Sequence, residues 1–495
     1  MNKKIINQIL ILTLCNILTY SLFFFYRVFI SRQIGSVGMG LYTFGMTLYY
    51  LFYNISSGGI LTAISKYIAE ISDVPEIKIK TVFVISRIIF LWSIVIAIFF
   101  LILNPIFCNT IFNTPILQKS IYPLIICTIV VSQSAILKGF FYGIQKPAPP
   151  ALAEVFENIM RLSIMCPIFL SLDKSISFET KLYMTFLGIL IGEISSFCFL
   201  IIIYKLKFSK RRLKININEL VEIPSNIFKI SIPLAIIGIL GMIFQSLENM
   251  IIPKLFELIG MKSTQAISIY GIINGMSFPA ALLPLVIINS LSIIIIPTLS
   301  EIKWYDNTLI SRINSFILAT LIVSLPITCI FLLYPAEICN LFYKNQLAGV
   351  YLKHIAPAIV FYYLSVILSS ILNALGEVIF NFVQSTILTI IRLVLYILFI
   401  LIFKNELPYI WITNIFALIS CIVMIEKISN LKFKFIIEKN TINILILSAC
   451  FCLLIITSLF CFHITSIKIF IPLFLFGYAL CIFFALLYQK RRKKN

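Results

Sequence analysis

Apolar runs of about 20 residues recur along this chain from one end to the other, and that repetition restricts the fold more than any motif does. A helix of that length crosses a hydrocarbon core of ~30 Å. The charged fraction agrees, at 12% against roughly 25% for soluble proteins. The longest polar interval, residues 205–226, is too short to bury a core of its own. The expected fold class is an all-α polytopic membrane protein without a soluble domain.

The runs centre on residues 6–30, 41–65, 82–103, 121–143, 151–171, 182–204, 227–252, 267–296, 310–334, 354–375, 380–403, 408–426, 441–462 and 467–488, about 14 transmembrane helices. The first follows Met1-Asn2-Lys3-Lys4. It is too long for a signal-peptide core and lacks a small-residue cleavage site, so it reads as a retained helix. With the N-terminus inside, the basic loop after span six (Lys205, Lys207, Lys210, Arg211, Arg212, Lys214) and the cluster at 490–494 both face the cytoplasm, as the positive-inside rule requires. The reading is a multi-pass protein of the cytoplasmic membrane with both termini cytoplasmic. The formal charge of +20 then belongs to these loops and to anionic lipid. Nucleic acid is excluded as a partner, because no basic stretch is interleaved with aromatics on a polar helix.

The chain also resembles itself at an offset of about 230 residues. Pro105 and Phe112 enclose a Cys-Asn pair, as do Pro335 and Phe342; Glu70 ends span two as Glu301 ends span eight. Gly143 and Gly376 close spans four and ten, and Arg161-Leu162 and Arg392-Leu393 lie within spans five and eleven. An even number of helices per repeat gives parallel copies around a central cavity. Expected domains are an N-lobe at 1–215 (spans 1–6), a C-lobe at 216–430 (spans 7–12), and an added helix pair with a basic tail at 431–495.

The first acidic residue is Glu70, so the early spans carry arginine without carboxylate. That favours an anionic substrate over an organic cation. A charge at mid-bilayer costs ~2.5–3.5 kcal/mol on insertion scales, so such groups should face protein, water or ligand. Substrate-binding candidates are Arg27, Arg161, Arg392 and Lys66. Arginine suits a diphosphate because its planar fork gives two hydrogen bonds and stays charged. Gate or ion-pair candidates are Glu248, Glu157, Glu70 and Glu193. Glu157–Arg161 and Lys66–Glu70 are i,i+4 pairs that can neutralise themselves. Arg392 has no acid in its own span, whereas Arg27 and Glu248 have similar outer depths and could pair.

Twelve cysteines lie almost wholly in apolar runs and read as small hydrophobes; Cys108 and Cys339 look less deeply placed. The glycines Gly35, Gly38 and Gly40 read as an outer turn. Only Asp73, Asp173 and Asp306 represent aspartate, His354 and His463 stand alone, and no phosphate-binding G-x-x-x-x-G-K-[ST] occurs. No cofactor, metal or catalytic residue is assigned, and the chain is not read as an enzyme.

Two stretches resemble a family. Gly38-Met39-Gly40-Leu41-Tyr42 and Ser57-Gly58-Gly59-Ile60-Leu61-Thr62-Ala63-Ile64-Ser65-Lys66 with Ala69-Glu70 look like the stage V sporulation protein B family, within the multidrug/oligosaccharidyl-lipid/polysaccharide (MOP) flippase superfamily. Ile269-Tyr270-Gly271 and Pro297-Thr298-Leu299-Ser300-Glu301 resemble the second-half counterpart. Leu61 departs from the proline the family pattern implies, which puts a proline kink there in question. The resemblance implies a two-lobed MATE-like fold, alternating access, and export of a lipid-linked oligosaccharide or peptidoglycan precursor for the cell wall or spore cortex. Implied partners are that anionic glycan lipid, membrane lipids and wall-synthesis enzymes, with a monomer expected. Two other functions stay open. An ion-coupled drug or cation antiporter of the same fold would need a membrane carboxylate such as Glu193 or Glu248. An integral-membrane glycosyl- or acyltransferase would need a His or Asp/Glu catalytic set, which the chain does not display.

Overall fold

The structure, a computed structural model, describes residues 3–71, 75–171, 176–208, 217–300 and 307–431. Spans thirteen and fourteen, the basic tail and Glu301 lie outside the described residues. Among those described, every regular element is helical. In chain order they are α1 (Lys3–Ser57), α2 (Ile60–Glu70), α3 (Pro75–Pro105), α4 (Pro115–Ser120), α5 (Tyr122–Gly143), α6 (Ala148–Ser171), α7 (Phe178–Phe208), α8 (Ile217–Leu258) and α9 (Ser263–Ile272). Then follow α10 (Phe278–Leu282), α11 (Leu285–Ser300), α12 (Asn307–Leu333), α13 (Pro335–Tyr343), α14 (Gln346–Ile355), α15 (Ile359–Ala374), α16 (Val378–Phe403) and α17 (Leu407–Asn430). Each of the first twelve expected spans falls on helix. Among the described residues nine helices are long and apolar enough to cross a membrane, or ten with one bent pair. The chain separates into two compact units, Met1–Gly271 and Ile272–Asn495.

The long helices are apolar on their outer faces as well as their inner ones. α3 buries Val82, Ile85 and Ile89 at helical spacing, yet its opposite stripe of Leu91, Val95, Ile98 and Ile102 is also apolar and exposed. Water would not tolerate such a stripe on a monomer, whereas lipid matches it. The inward stripes meet in the core of the first unit, where Ile60, Ile64 and Ile68 of α2 pack with Val82 and Ile85 of α3, Ile136 and Phe140 of α5, and Ile223 and Ile227 of α8. In the second unit α15 buries Ile359, Tyr363, Ile367 and Ile371 on one face, and the Tyr363 hydroxyl donates to the Ala281 carbonyl at 2.9 Å.

Glycine, rather than a loop, makes the early turns. Gly35 interrupts α1 with φ 69° and ψ −170°, a region essentially closed to other residues. The expected turn over Gly35, Gly38 and Gly40 shrinks to that one residue. Gly40 is helical and tightly packed, since a Cβ there would lie 2.4 Å from the Ile267 carbonyl oxygen. The second break comes at Gly59, with φ 73°, immediately before α2. The bend that Leu61 put in question therefore exists two residues earlier without proline. Span eight is also bent, by 60° between Ser263–Leu282 and Leu285–Ser292. A π-helical turn at Ile273–Ser277 and Pro284 at the break supply the cause. Cys108 and Cys339, which looked shallow in sequence, are both 0% exposed and free. Apolar packing around these short side chains outweighs their position near span ends.

Candidate functional site

The charges of the first unit gather on α5, α6 and α7, against the tyrosines of α1. Helical spacing places Glu154, Glu157, Asn158 and Arg161 on one face of α6. Arg161 is 4% exposed and Glu157 8%. The Arg161 Nη2 donates to Glu157 Oε1 at 2.5 Å and Nη1 to Asn158 Oδ1 at 3.4 Å. Its guanidinium sits 5.5 Å from the centre of the Tyr26 ring. Tyr26 is itself buried, with its hydroxyl donating to the Thr185 carbonyl at 3.0 Å. One helix over, Lys138 Nζ of α5 lies 3.0 Å from Glu154 Oε1.

Glu193, near the middle of α7, completes the cluster. It is half-buried, and its Oε2 is buried without a hydrogen-bond partner. The nearby charges that act on it are Glu157, Lys138, Arg161 and Glu154. Two cations thus face three carboxylates, with Arg161 and Glu157 buried and Lys138, Glu154 and Glu193 partly exposed. Such a group is stabilised when its charges are paired, and an odd carboxylate is the natural place for a proton or cation to add.

Small residues create the room. A Cβ at Gly192 would lie 2.9 Å from Arg161 Nε and 3.0 Å from its Nη2, and one at Gly188 would lie 2.5 Å from the Tyr26 hydroxyl. These glycines are four residues apart on α7, the small-xxx-small spacing that lets membrane helices approach closely. Sequence reasoning recognised Glu157–Arg161 but missed Lys138–Glu154, the ring of Tyr26 against Arg161 and the two glycine notches. The lysine inside an apolar run and the Gly188/Gly192 spacing were the available signals.

Of the remaining candidates, Arg27 borders this cluster, next to Tyr26 and with Arg161 near Tyr50, whereas the others lie on other helices. Arg27 is half-buried, with its guanidinium 5.9 Å from the centre of the Tyr42 ring, and Tyr42 stacks on Phe186 at 5.9 Å. Glu248 is 7% exposed on α8. Its neighbour Asn249 donates to Thr47 Oγ1 at 2.9 Å, which fixes the register of α8 beside α1. Lys66 and Glu70 form an exposed pair at 3.8 Å, with side chains 59% and 61% exposed. That is a solvated helix end worth ~0–1 kcal/mol. Arg392, in the second unit, is half-buried with its guanidinium 5.9 Å from the Tyr396 ring centre. The Tyr396 hydroxyl shares a 2.6 Å hydrogen bond with Thr413 Oγ1. Among the described residues no cluster of His, Cys, Asp or Glu could hold a metal ion.

Comparison with known proteins adds the lineage. The chain is 26% identical over 380 residues to stage V sporulation protein B of Bacillus subtilis (strain 168), covering 74% of this chain and 72% of that protein. Among solved structures, the lipid II flippase MurJ in an inward closed conformation aligns over 98% of this chain and 100% of its own, with TM-score 0.72 and 14% identity. An inward-facing multidrug resistance MATE family transporter of the MOP superfamily aligns over 84% and 95%, with TM-score 0.62 and 15% identity. The fold is accordingly of the MurJ and MATE type. A profile of the polysaccharide biosynthesis protein family matches residues 5–303, more than half of the chain, and the protein belongs to that family.

Proposed function

We propose that this protein is a flippase that moves a lipid-linked oligosaccharide or peptidoglycan precursor across the cytoplasmic membrane by alternating access. The observation that carries the reading is the placement of Arg27 and Arg392. Each is half-buried over a tyrosine ring, on a membrane helix whose own sequence holds no acid in that span. A guanidinium held part-way out of water can replace the hydration of a diphosphate headgroup as it crosses low dielectric. The family match and the likeness to stage V sporulation protein B support a glycan-lipid substrate over a free drug. In this reading the lobes are 1–215 and 216–430, with 431–495 added, and both termini are cytoplasmic. The transport cycle needs no chemistry on the substrate. Wall-synthesis enzymes are the natural suppliers and users of the cargo. Arg27→Ala and Arg392→Ala are expected to abolish complementation of a flippase-deficient strain at near-normal protein abundance. Retention of complementation by both would overturn the arginine assignment.

A second reading, ion-coupled export of a drug or cation, is favoured by Glu193. A membrane carboxylate with a buried, unpartnered oxygen is the kind of group that takes up H⁺. If Glu193→Gln or Glu248→Gln alone stops function while the arginine variants still work, the antiporter reading replaces the first.

A further inference from the structure

A groove in the first unit, away from the charge cluster, has the character of a lipid site. A cavity of about 380 Å³ opens between α3, α5 and α7, walled by apolar side chains including Val82, Leu137, Ile201 and Tyr204. Among the described residues the only ionised groups lining it are Arg87 and Lys205. Both are exposed, and among the described residues neither forms an ion pair. At its floor Ser86 Oγ donates to Gln133 Oε1 at 2.7 Å, so those polar groups are already satisfied and do not compete for a ligand.

Two cations line the groove from different helices. α3 enters the membrane after its polar first turns, which hold Glu76, Lys78 and Lys80. Arg87 lies seven residues past Lys80, about 10 Å deeper at 1.5 Å per residue. Its guanidinium rests 4.0 Å from the centre of the Phe83 ring, one turn back toward the helix start. The side chain therefore points toward the interface, as snorkelling requires. Lys205 stands in the last turn of α7, which lines this groove together with the first half of α3. Both charges line the one groove, whose walls are otherwise mostly apolar and whose lining residue Phe83 is exposed.

We propose that this groove binds an anionic phospholipid, with an acyl chain along the apolar walls and the phosphate between Arg87 and Lys205. An anion is required because an exposed arginine at this depth is costly without one, and the ring of Phe83 offsets only ~0.5–1 kcal/mol. A zwitterionic lipid is disfavoured because its ammonium would enter a groove that holds two cations and, among the described residues, no lining carboxylate. Basic pockets between membrane helices select anionic headgroups for this reason. On the orientation given above, the groove lies in the cytoplasmic leaflet, but the binding itself does not depend on that orientation or on the transported cargo.

The test is native mass spectrometry of the full chain in detergent, titrated with phosphatidylglycerol or phosphatidylcholine of matched acyl chains. Phosphatidylglycerol is expected to bind preferentially. Each of Arg87→Gln and Lys205→Gln should weaken it about fivefold, and the double variant about 30-fold, from ~1 kcal/mol per cation. Lys207→Gln, an exposed cation in the same turn but outside the groove, should leave the preference unchanged. Lys205→Arg should retain binding and shows that loss in Lys205→Gln is not misfolding. Equal binding of the two lipids, or a preference that survives the double variant, would overturn the proposal. So would displacement of phosphatidylglycerol by an equimolar isoprenyl diphosphate through the same two cations, because the groove would then be an entry for lipid-linked cargo.

Discussion

The charge cluster of the first unit predicts a specific non-additivity. Arg161 and Glu157 have side chains only 5% and 11% exposed, so their ion pair cannot be replaced by water. Removing one partner of such a pair ordinarily costs ~3–5 kcal/mol. Here Glu193 stands by, with a buried oxygen that has no hydrogen-bond partner and with Arg161 among the charges acting on it. Glu157→Gln should therefore cost only about 1–2 kcal/mol, since Glu193 takes over the guanidinium and the glutamine still accepts a hydrogen bond. Glu193→Gln alone removes the odd carboxylate and should cost about 0–1 kcal/mol. The double variant leaves Arg161 with Asn158 and the face of Tyr26, and should lose the full ~3–5 kcal/mol, a coupling of about 1–3 kcal/mol. Equilibrium unfolding of the four proteins in mixed micelles closes the cycle. Additivity within ~0.5 kcal/mol would refute the shared-counterion account.

Three further outcomes follow from the geometry. Gly192→Ala should lower stability by about 1–3 kcal/mol and displace the guanidinium, because the new methyl lies 2.9 Å from Arg161 Nε; a thermal shift indistinguishable from wild type would contradict this. Gly35→Ala meets open space but not an allowed backbone, so it should cost about 1–3 kcal/mol through strain alone, read by the same unfolding assay. If Arg27 and Glu248 close an outer gate as a pair, Arg27→Glu combined with Glu248→Arg restores transport lost in either single variant. A double variant that stays inactive assigns Arg27 to the headgroup instead.

The sequence made some of this legible for physical reasons. Twenty-residue apolar runs have one outcome in a bilayer, so the long helices up to α17 were readable with no structure, whereas the short α4 and α13 and most of α14 fall outside such runs. Glu157–Arg161 was readable too, because i,i+4 neighbours on a helix must meet. Lys138–Glu154 was not, since it joins two helices and depends on how α5 packs on α6. The turn at Gly35 was placed in the right region but given too much length. Glycine at 40 serves contact with Ile267 rather than a loop, and the sequence alone does not separate these uses. The groove between α3, α5 and α7 was hidden for the same reason: its two cations lie on helices distant in sequence.

The central claim is that the cargo is a lipid-linked anionic glycan. It is tested most directly by reconstituting the full chain in proteoliposomes with a fluorescent lipid-linked oligosaccharide diphosphate, and following its exposure to a membrane-impermeant quencher. The account predicts protein-dependent crossing that falls at least tenfold in Arg27→Ala and in Arg392→Ala, the loss of ~1.4 kcal/mol or more of headgroup stabilisation. No crossing above empty vesicles, together with accumulation of an organic cation driven by an H⁺ or Na⁺ gradient, would contradict it.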